Sequence, residues 1–174
     1  HGCRVRKLVT HPIDAFDDPG GAPIGQLGAS VRLHPESIRR REQLRHVKPR
    51  LSFRLDTNVA LLAVTPGLSP EMIERREQSK GFVVETYASG TIPERILPAL
   101  KKLAQRRPVV VSIENGRRTA PSWAKYPVGF ISARDMTREA AIVKLMWTLG
   151  QASDSASVRR LMTSNITGEI SANA

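Results

Sequence analysis

The chain has 174 residues, 40% hydrophobic and 25% charged, with a net charge of +11 and a sequence pI near 10.8. That size allows one globular domain, or one domain with part of another. A single cysteine, Cys3, excludes an internal disulfide framework. No run of 18 apolar residues is present to span a membrane, and His1, His11, His34 and His46 have neither ligand spacing nor a partner cysteine, so no metal is assigned.

The chain opens His1-Gly2-Cys3, without a methionine or an apolar run, and is therefore expected to be soluble and part of a longer polypeptide. Arg4 to Thr10 mixes apolar and basic residues as an edge strand does, and Asp17-Asp18-Pro19-Gly20-Gly21 reads as a turn. Residues 24–48 are irregular and polar and read as a linker or interface arm. Leu51, Phe53 and Leu55 then alternate with Ser52, Arg54 and Asp56, predicting a strand with one wet face.

From residue 59 the pattern alternates strand and helix. Val59 to Val64 predicts a buried strand, and Ser69-Pro70-Glu71 supplies an N-cap, a first-turn proline and a first-turn acid for a helix through Ser79. Gly81 to Tyr87 is the next strand, followed by a helix carrying Leu97, Leu100, Leu103 and Ala104, with Pro98 tolerable in its first turn. Pro108 to Ile113 forms a third strand, Asn115-Gly116 a turn, and Val128 to Ser132 a short fourth strand. Ile142, Leu145, Met146 and Leu149 mark the clearest helix, closing at Gly150, and a last helix holds Val158, Leu161 and Met162.

Alternating apolar strands and helices predict an α/β domain: a small doubly wound, Rossmann-like parallel sheet of about four strands with helices on both faces. Ligands in such sheets bind beyond the carboxyl ends of the strands, here Thr65-Pro66-Gly67, Ala88-Ser89-Gly90-Thr91 and Ser112 to Gly116. No GxGxxG or phosphate-binding glycine loop occurs, so no cofactor is expected.

The positive charge is concentrated. Arg39 to Arg54 holds seven basic residues against Glu42 alone, over half the net charge of the chain. With aromatic residues at only 5% and none beside Arg39, Arg40 and Arg41, no stacking platform accompanies that charge. The arm reads as a solvated connector or subunit contact rather than a nucleic-acid site.

Several of these segments, in order, resemble the L-asparaginases, in particular the C-terminal domain of the cytoplasmic bacterial and archaeal type. Thr65-Pro66-Gly67-Leu68-Ser69 is similar to the family's PG(L/I)S strand end, and Glu85 to Pro93 to its (E/R)xYGxGNxP loop. Asp135-Met136-Thr137-Arg138-Glu139-Ala140-Ala141, continuing to Lys144-Leu145-Met146-Trp147, resembles its DMTxEAAxxKLMW helix, the most specific of the set. Val158 to Met162 and Asn165 to Glu169 resemble the tail of the cytoplasmic members. Gly2 to Lys7 with Asp14-Ala15-Phe16 is similar to the end of the family's N-terminal domain.

The resemblance implies a division at residue 57: residues 1–57 would be the end of an N-terminal domain plus the basic connector, and residues 58–174 the C-terminal domain. It implies hydrolysis of L-asparagine, with L-glutamine the second candidate amide, in a cytoplasmic homo-oligomer. The family's catalytic threonines lie in a TGGT loop and a Thr-Asp pair, both upstream of the segment matched by Arg4 to Lys7. Neither occurs here, and Asp56-Thr57 has the order reversed. No catalytic residue is therefore assigned, and the chain alone is expected to be inactive.

Ser89, Gly90 and Thr91 fall at the family's substrate-proximal loop, with Thr91 where Asn is usual and Ala88 where Gly is usual. Thr91 keeps a hydroxyl but lacks a carboxamide. A regulatory pocket between Gly116 and Asp135 is not carried over, because that segment is shorter here. The same fold serves a tRNA-dependent amidotransferase subunit, which the basic arm would suit; a non-catalytic binding module is the third reading.

Overall fold

A computed structural model describes residues 4–10, 15–18, 23–38, 51–114 and 128–171. Its centre is a four-stranded parallel sheet in sequential order, β5 (Val59–Ala63), β6 (Gly81–Thr86), β7 (Val109–Ile113) and β8 (Phe130–Ser132). The register aligns Ala60, Phe82, Val109 and Phe130 in one lateral row, and Leu61, Val83, Val110 and Ile131 in the next. Side chains alternate across a strand, so the two rows face opposite sides of the sheet.

Each row is the floor of a separate core. Under the first lie Ile73 from α1 (Pro70–Glu74) and Leu100 and Leu103 from α2 (Leu97–Ala104). Against the second pack Ala141 and Leu145 from α3 (Arg138–Gln151), Val158 and Met162 from α4 (Ser155–Thr163), and Ile170. Every residue of β6 and β7 is buried, so neither strand has a wet face. The α/β architecture with helices on both faces is as the sequence predicts.

Helix starts follow local chemistry. Ser69, Thr137 and Asp154 have extended backbone, and their side-chain oxygens accept from the amides of Met72, Ala140 and Ser157. α1 is shorter than expected. It ends at Glu74 and passes into turns that run to Lys80, because Glu74-Arg75-Arg76-Glu77-Gln78-Ser79 offers nothing apolar to bury after Ile73.

Three flanking expectations are corrected. Residues 24–38 are ordered: β3 (Gly25–Leu27) and β4 (Val31–Leu33) pair antiparallel around Gly28-Ala29-Ser30, with a 3-10 turn at Pro35–Ser37. The apolar residues of this hairpin face solvent, which is why no buried face marked it in sequence. Leu51 to Asp56 is not a strand; Leu51, Phe53 and Leu55 are 79%, 84% and 55% exposed. Its main chain is taken by the end of α3 instead of by a sheet. Gln151 donates to the Arg54 carbonyl at 2.9 Å and the Asp56 amide to the Met146 carbonyl at 2.9 Å, while Ser52 Oγ donates to Gln151 at 2.8 Å. The expected edge strand over Arg4 to Thr10 reduces to β1 (Arg6–Lys7), paired with β2 (Phe16–Asp17). The turns at Pro19-Gly20-Gly21 and Asn115-Gly116, and the arm Arg39, Arg40, Arg41, lie outside the described residues.

The strap of residues 51–56 fits closely over Gly150, where a Cβ would collide with the Arg54 carbonyl. Replacing a helical glycine with alanine ordinarily gains about 1 kcal/mol. Gly150→Ala is expected to reverse that sign: a lower melting temperature and faster proteolysis within residues 51–56, against an unchanged or raised melting temperature if the strap were loosely held.

Candidate functional site

The carboxyl ends of β5, β6 and β7 lie at one edge of the parallel sheet, where Thr65-Pro66-Gly67, Ala88 to Thr91 and Ser112 to Glu114 follow them. After β6 the chain turns sharply, with the Gly90 amide donating to the Tyr87 carbonyl at 2.7 Å. Gly90 has φ of 74°, a conformation that costs an L side chain about 1 kcal/mol or more, so glycine is needed there. The positive φ falls at Gly90 and not at Ala88, which is why alanine fits in place of the family's glycine. Ser89 and Thr91 flank Gly90 on the exposed surface, and their hydroxyls bond one another at 2.8 Å.

The neighbouring loop is tied to this one. The Arg95 guanidinium donates to the Pro66 carbonyl at 2.7 Å and reaches those of Thr65 and Leu68 at 3.4 Å. Beneath them, Thr86 Oγ1 donates to the Ser112 carbonyl at 3.2 Å and Ser112 Oγ to the Met136 carbonyl at 3.4 Å, joining β6, β7 and the turn before α3. Glu85 is buried at the same edge and pairs with Arg138 at 2.7 Å; Glu85 and Glu139 together hold the Arg138 guanidinium above its ordinary pKa.

The arrangement offers two exposed hydroxyls on a tight turn over a rigid, hydrogen-bonded floor. That can position a polar ligand. The hydroxyl-to-hydroxyl bond itself supplies no charge to promote proton loss. No group of three or more His, Cys, Asp or Glu that could hold a metal occurs among the described residues, and no helix there is long and apolar enough to cross a membrane.

Residues 58–162 match the model of the Glutaminase/Asparaginase C-terminal domain. The chain belongs to that family. L-asparaginase of Thermococcus kodakarensis is 33% identical over 97% of this chain and 53% of its own. A subunit of the glutamyl-tRNA(Gln) amidotransferase of Pyrococcus horikoshii is 32% identical over 97% of this chain and 40% of its own. The solved thermostable L-asparaginase of Thermococcus kodakarensis superposes with a TM-score of 0.73, at 31% identity, over 97% of this chain and 53% of that one. The chain thus spans about half the length of the relatives it matches, or less.

In this asparaginase-type domain, the segments that carry the family likeness turn out to be joined by buried charge. Arg4 is buried; its guanidinium bonds the Asp135 carboxylate, lies 3.3 Å from Asp18, and donates to Ser171 Oγ at 2.8 Å. Asp135 also accepts from the Ser171 amide at 3.1 Å. One guanidinium therefore joins the first strand pair, the start of α3 and the tail. Sequence reasoning singled out Arg4 and Asp135 as likeness but missed the contact, since nothing local connects positions so far apart.

A second buried pair lies further along α3. Lys144 meets Glu169 and also donates to the Ser164 carbonyl. Burial pushes the Glu169 carboxyl up, but the Lys144 ammonium and the amides of Thr167 and Ile166 outweigh it and bring it from 4.5 to about 2.

Both pairs can be tested by unfolding. Removing one member of a buried ion pair strands the other charge and costs about 3–5 kcal/mol. Arg4→Met and Asp135→Asn are each expected to approach that loss in denaturant unfolding, and the double variant to lose much less than the sum; additive losses would show that the two do not couple. Because the Glu169 carboxyl is depressed in the folded state, its contribution is present above about pH 4.5 and disappears as pH falls towards 2. Stability of the wild type should fall by up to roughly 3 kcal/mol more than that of Glu169→Gln across that window, and parallel curves would contradict the assignment.

Proposed function

We propose that this chain is the C-terminal part of an L-asparaginase, hydrolysing L-asparagine to L-aspartate and ammonia when combined with residues it does not contain. The observation that carries this reading is the match of residues 58–162 to the family, together with the 33% identity to an L-asparaginase across 97% of the chain. Residues 1–57 would close an N-terminal domain and 58–174 form the C-terminal one. The nucleophilic threonines would come from outside the chain, and Ser89, Gly90 and Thr91 would face the substrate's amino-acid end. The assembled protein would be a cytoplasmic homo-oligomer, and L-glutamine the second candidate amide.

A second reading has its own support. The Pyrococcus horikoshii relative is an amidotransferase subunit whose name specifies tRNA(Gln), and the sequence here carries the basic arm Arg39, Arg40 and Arg41. Salt-sensitive tRNA retention that disappears when those three arginines are neutralised would favour it over the hydrolase.

The test is ammonia release from L-asparagine and L-glutamine. The 174-residue chain alone should release none, and addition of the half of the Thermococcus kodakarensis enzyme that this chain does not span should restore turnover. In the restored enzyme, Thr91→Ala is expected to lower kcat/KM about tenfold, the equivalent of one lost hydrogen bond, with an unchanged melting temperature. Turnover by the chain alone would contradict this reading, as would silence in the mixture.

A further inference from the structure

Among the described residues stand three arginine doublets, Arg75-Arg76, Arg106-Arg107 and Arg159-Arg160, which neither reading of the function uses. The fold gathers them at one place. In a parallel sheet the connecting helices return the chain from the carboxyl edge to the amino edge, so the first doublet leaves the end of α1 ahead of β6 and the second leaves the end of α2 ahead of β7. α4 supplies the third. Arg159 donates to the carbonyls of Phe130 at 2.9 Å and Gly129 at 3.0 Å, at the amino end of β8.

These three places adjoin. Lys102 on α2 reaches Glu74 at 3.5 Å and Glu77 at 3.8 Å at the end of α1, and the Ala104 methyl lies 3.5 Å from where a Cβ on Gly129 would stand. The doublets thus form a belt along the amino edge, opposite the edge that carries Ser89, Gly90 and Thr91.

Much of the charge on this belt is uncompensated. Arg76, Lys101, Arg106, Arg107 and Arg160 are exposed and have no acidic partner among the described residues. The acids nearby are engaged: Asp56 by Lys80 at 2.7 Å, Glu74 and Glu77 by Lys102, and Asp154 as the cap of α4. Helix-end electrostatics does not account for the arginines. A helix dipole favours cations within its last turn, which in α2 holds Lys101 and Lys102. Arg106 and Arg107 lie beyond that turn, and only their amides are bonded, to the Leu103 carbonyl. At the opposite edge, by contrast, Arg95 is engaged by the Pro66 carbonyl and Arg138 by Glu85.

We propose that this belt is a docking surface for the phosphate backbone of a double-helical nucleic acid. The inference goes beyond both readings above and depends on neither. A guanidinium presents a planar fork that takes two phosphate oxygens at once and is less strongly hydrated than an ammonium, so arginine outside any ion pair suits phosphate. No aromatic side chain stands on α1, α2, α4 or the turns into β6 and β7, so the bases of a single strand would find no stacking platform. The belt is made of helix ends and turns, with no helix or ribbon projecting to enter a groove. Contact therefore stops at the backbone and is independent of base sequence. An anionic membrane surface would call for apolar anchors beside the charge, and residues 74–80 and 104–108 expose no large apolar side chain.

The test is binding of the 174-residue chain to a fluorescent RNA duplex of about 20 base pairs, followed by anisotropy as salt is raised. Affinity should fall about a hundredfold between 50 and 200 mM salt, as for roughly four neutralised phosphates. Arg106→Gln and Arg107→Gln should each reduce the slope of log affinity against log salt by about one, by the same amount for duplexes of unrelated sequence. Both variants should melt at the wild-type temperature, since neither side chain bonds anything among the described residues. Arg32→Gln, on the exposed hairpin away from the belt, should bind as wild type, and a DNA duplex should bind within a few-fold of the RNA.

Four results would overturn the proposal. One is no binding at 50 mM salt. Another is binding abolished by neutralising Arg39, Arg40 and Arg41 but indifferent to Arg106→Gln and Arg107→Gln, which would place the contact on the arm. The third is tighter binding to the single strand. The last is retention on anionic phospholipid vesicles, or displacement of the duplex by an equal charge of poly-glutamate, that responds to the same two variants; this would assign the belt to a membrane or to an acidic protein. Ammonia release enters none of these measurements, so the hydrolase reading stands or falls separately.

Discussion

The interior pair β6 and β7 has no face that can meet water, and the rest of the structure is organised around covering it. In a parallel sheet of sequential order, right-handed crossovers place the connecting helices on one face. α1 and α2, which connect β5 to β6 and β6 to β7, do lie on one face. The opposite face is covered by α3 and α4, which follow the last strand. A helix added after the final strand is not constrained by a crossover at both ends, so its position must be fixed by other means. That requirement accounts for the strap across the end of α3 and for the guanidinium at its start.

The family likeness takes on physical meaning in the same place. Asp135 accepts from Arg4 and Ser171, Thr137 caps α3, Arg138 pairs with the buried Glu85, and Lys144 pairs with Glu169. Buried polar groups must be satisfied or cost roughly 1–3 kcal/mol each, more for a charge. A helix so rich in long-range polar partners cannot drift one residue at a time without stranding several of them. The motif that identifies the lineage is thus largely the description of a docking frame, and identifying the lineage from it is a different matter from locating a site of reaction.

What could be read from sequence follows the range of the forces involved. β5 to β8 and α2 to α4 were legible because apolar periodicity is local: Val109-Val110-Val111 and the spacing of Ile142, Leu145 and Leu149 need no knowledge of a partner. The turn at Ser89, Gly90 and Thr91 was legible as a strand end, though not that its strain would fall on Gly90 rather than on residue 88. The strap was misread because Leu51, Phe53 and Leu55 alternate as a strand does, whereas the main chain there is claimed by Gln151 and Met146. The Arg4 contact with Asp135 spans most of the chain, and charge pattern alone could not have found it.

Polar and apolar groups outside the sheet differ in how far burial has satisfied them. Arg4, Asp135, Lys144 and Glu169 are all buried and each stands in an ion pair. The apolar surface is not closed, since the hairpin, the strap and the outer side of α3 leave leucine, valine and phenylalanine in water. Hydrophobic burial is the main favourable term in folding and association, worth about 25 cal/mol per Å². Exposed as they are, Leu27, Val31, Leu33, Leu51 and Phe53 add little of that gain to the chain, whose stability rests instead on the two cores packed against the faces of the sheet.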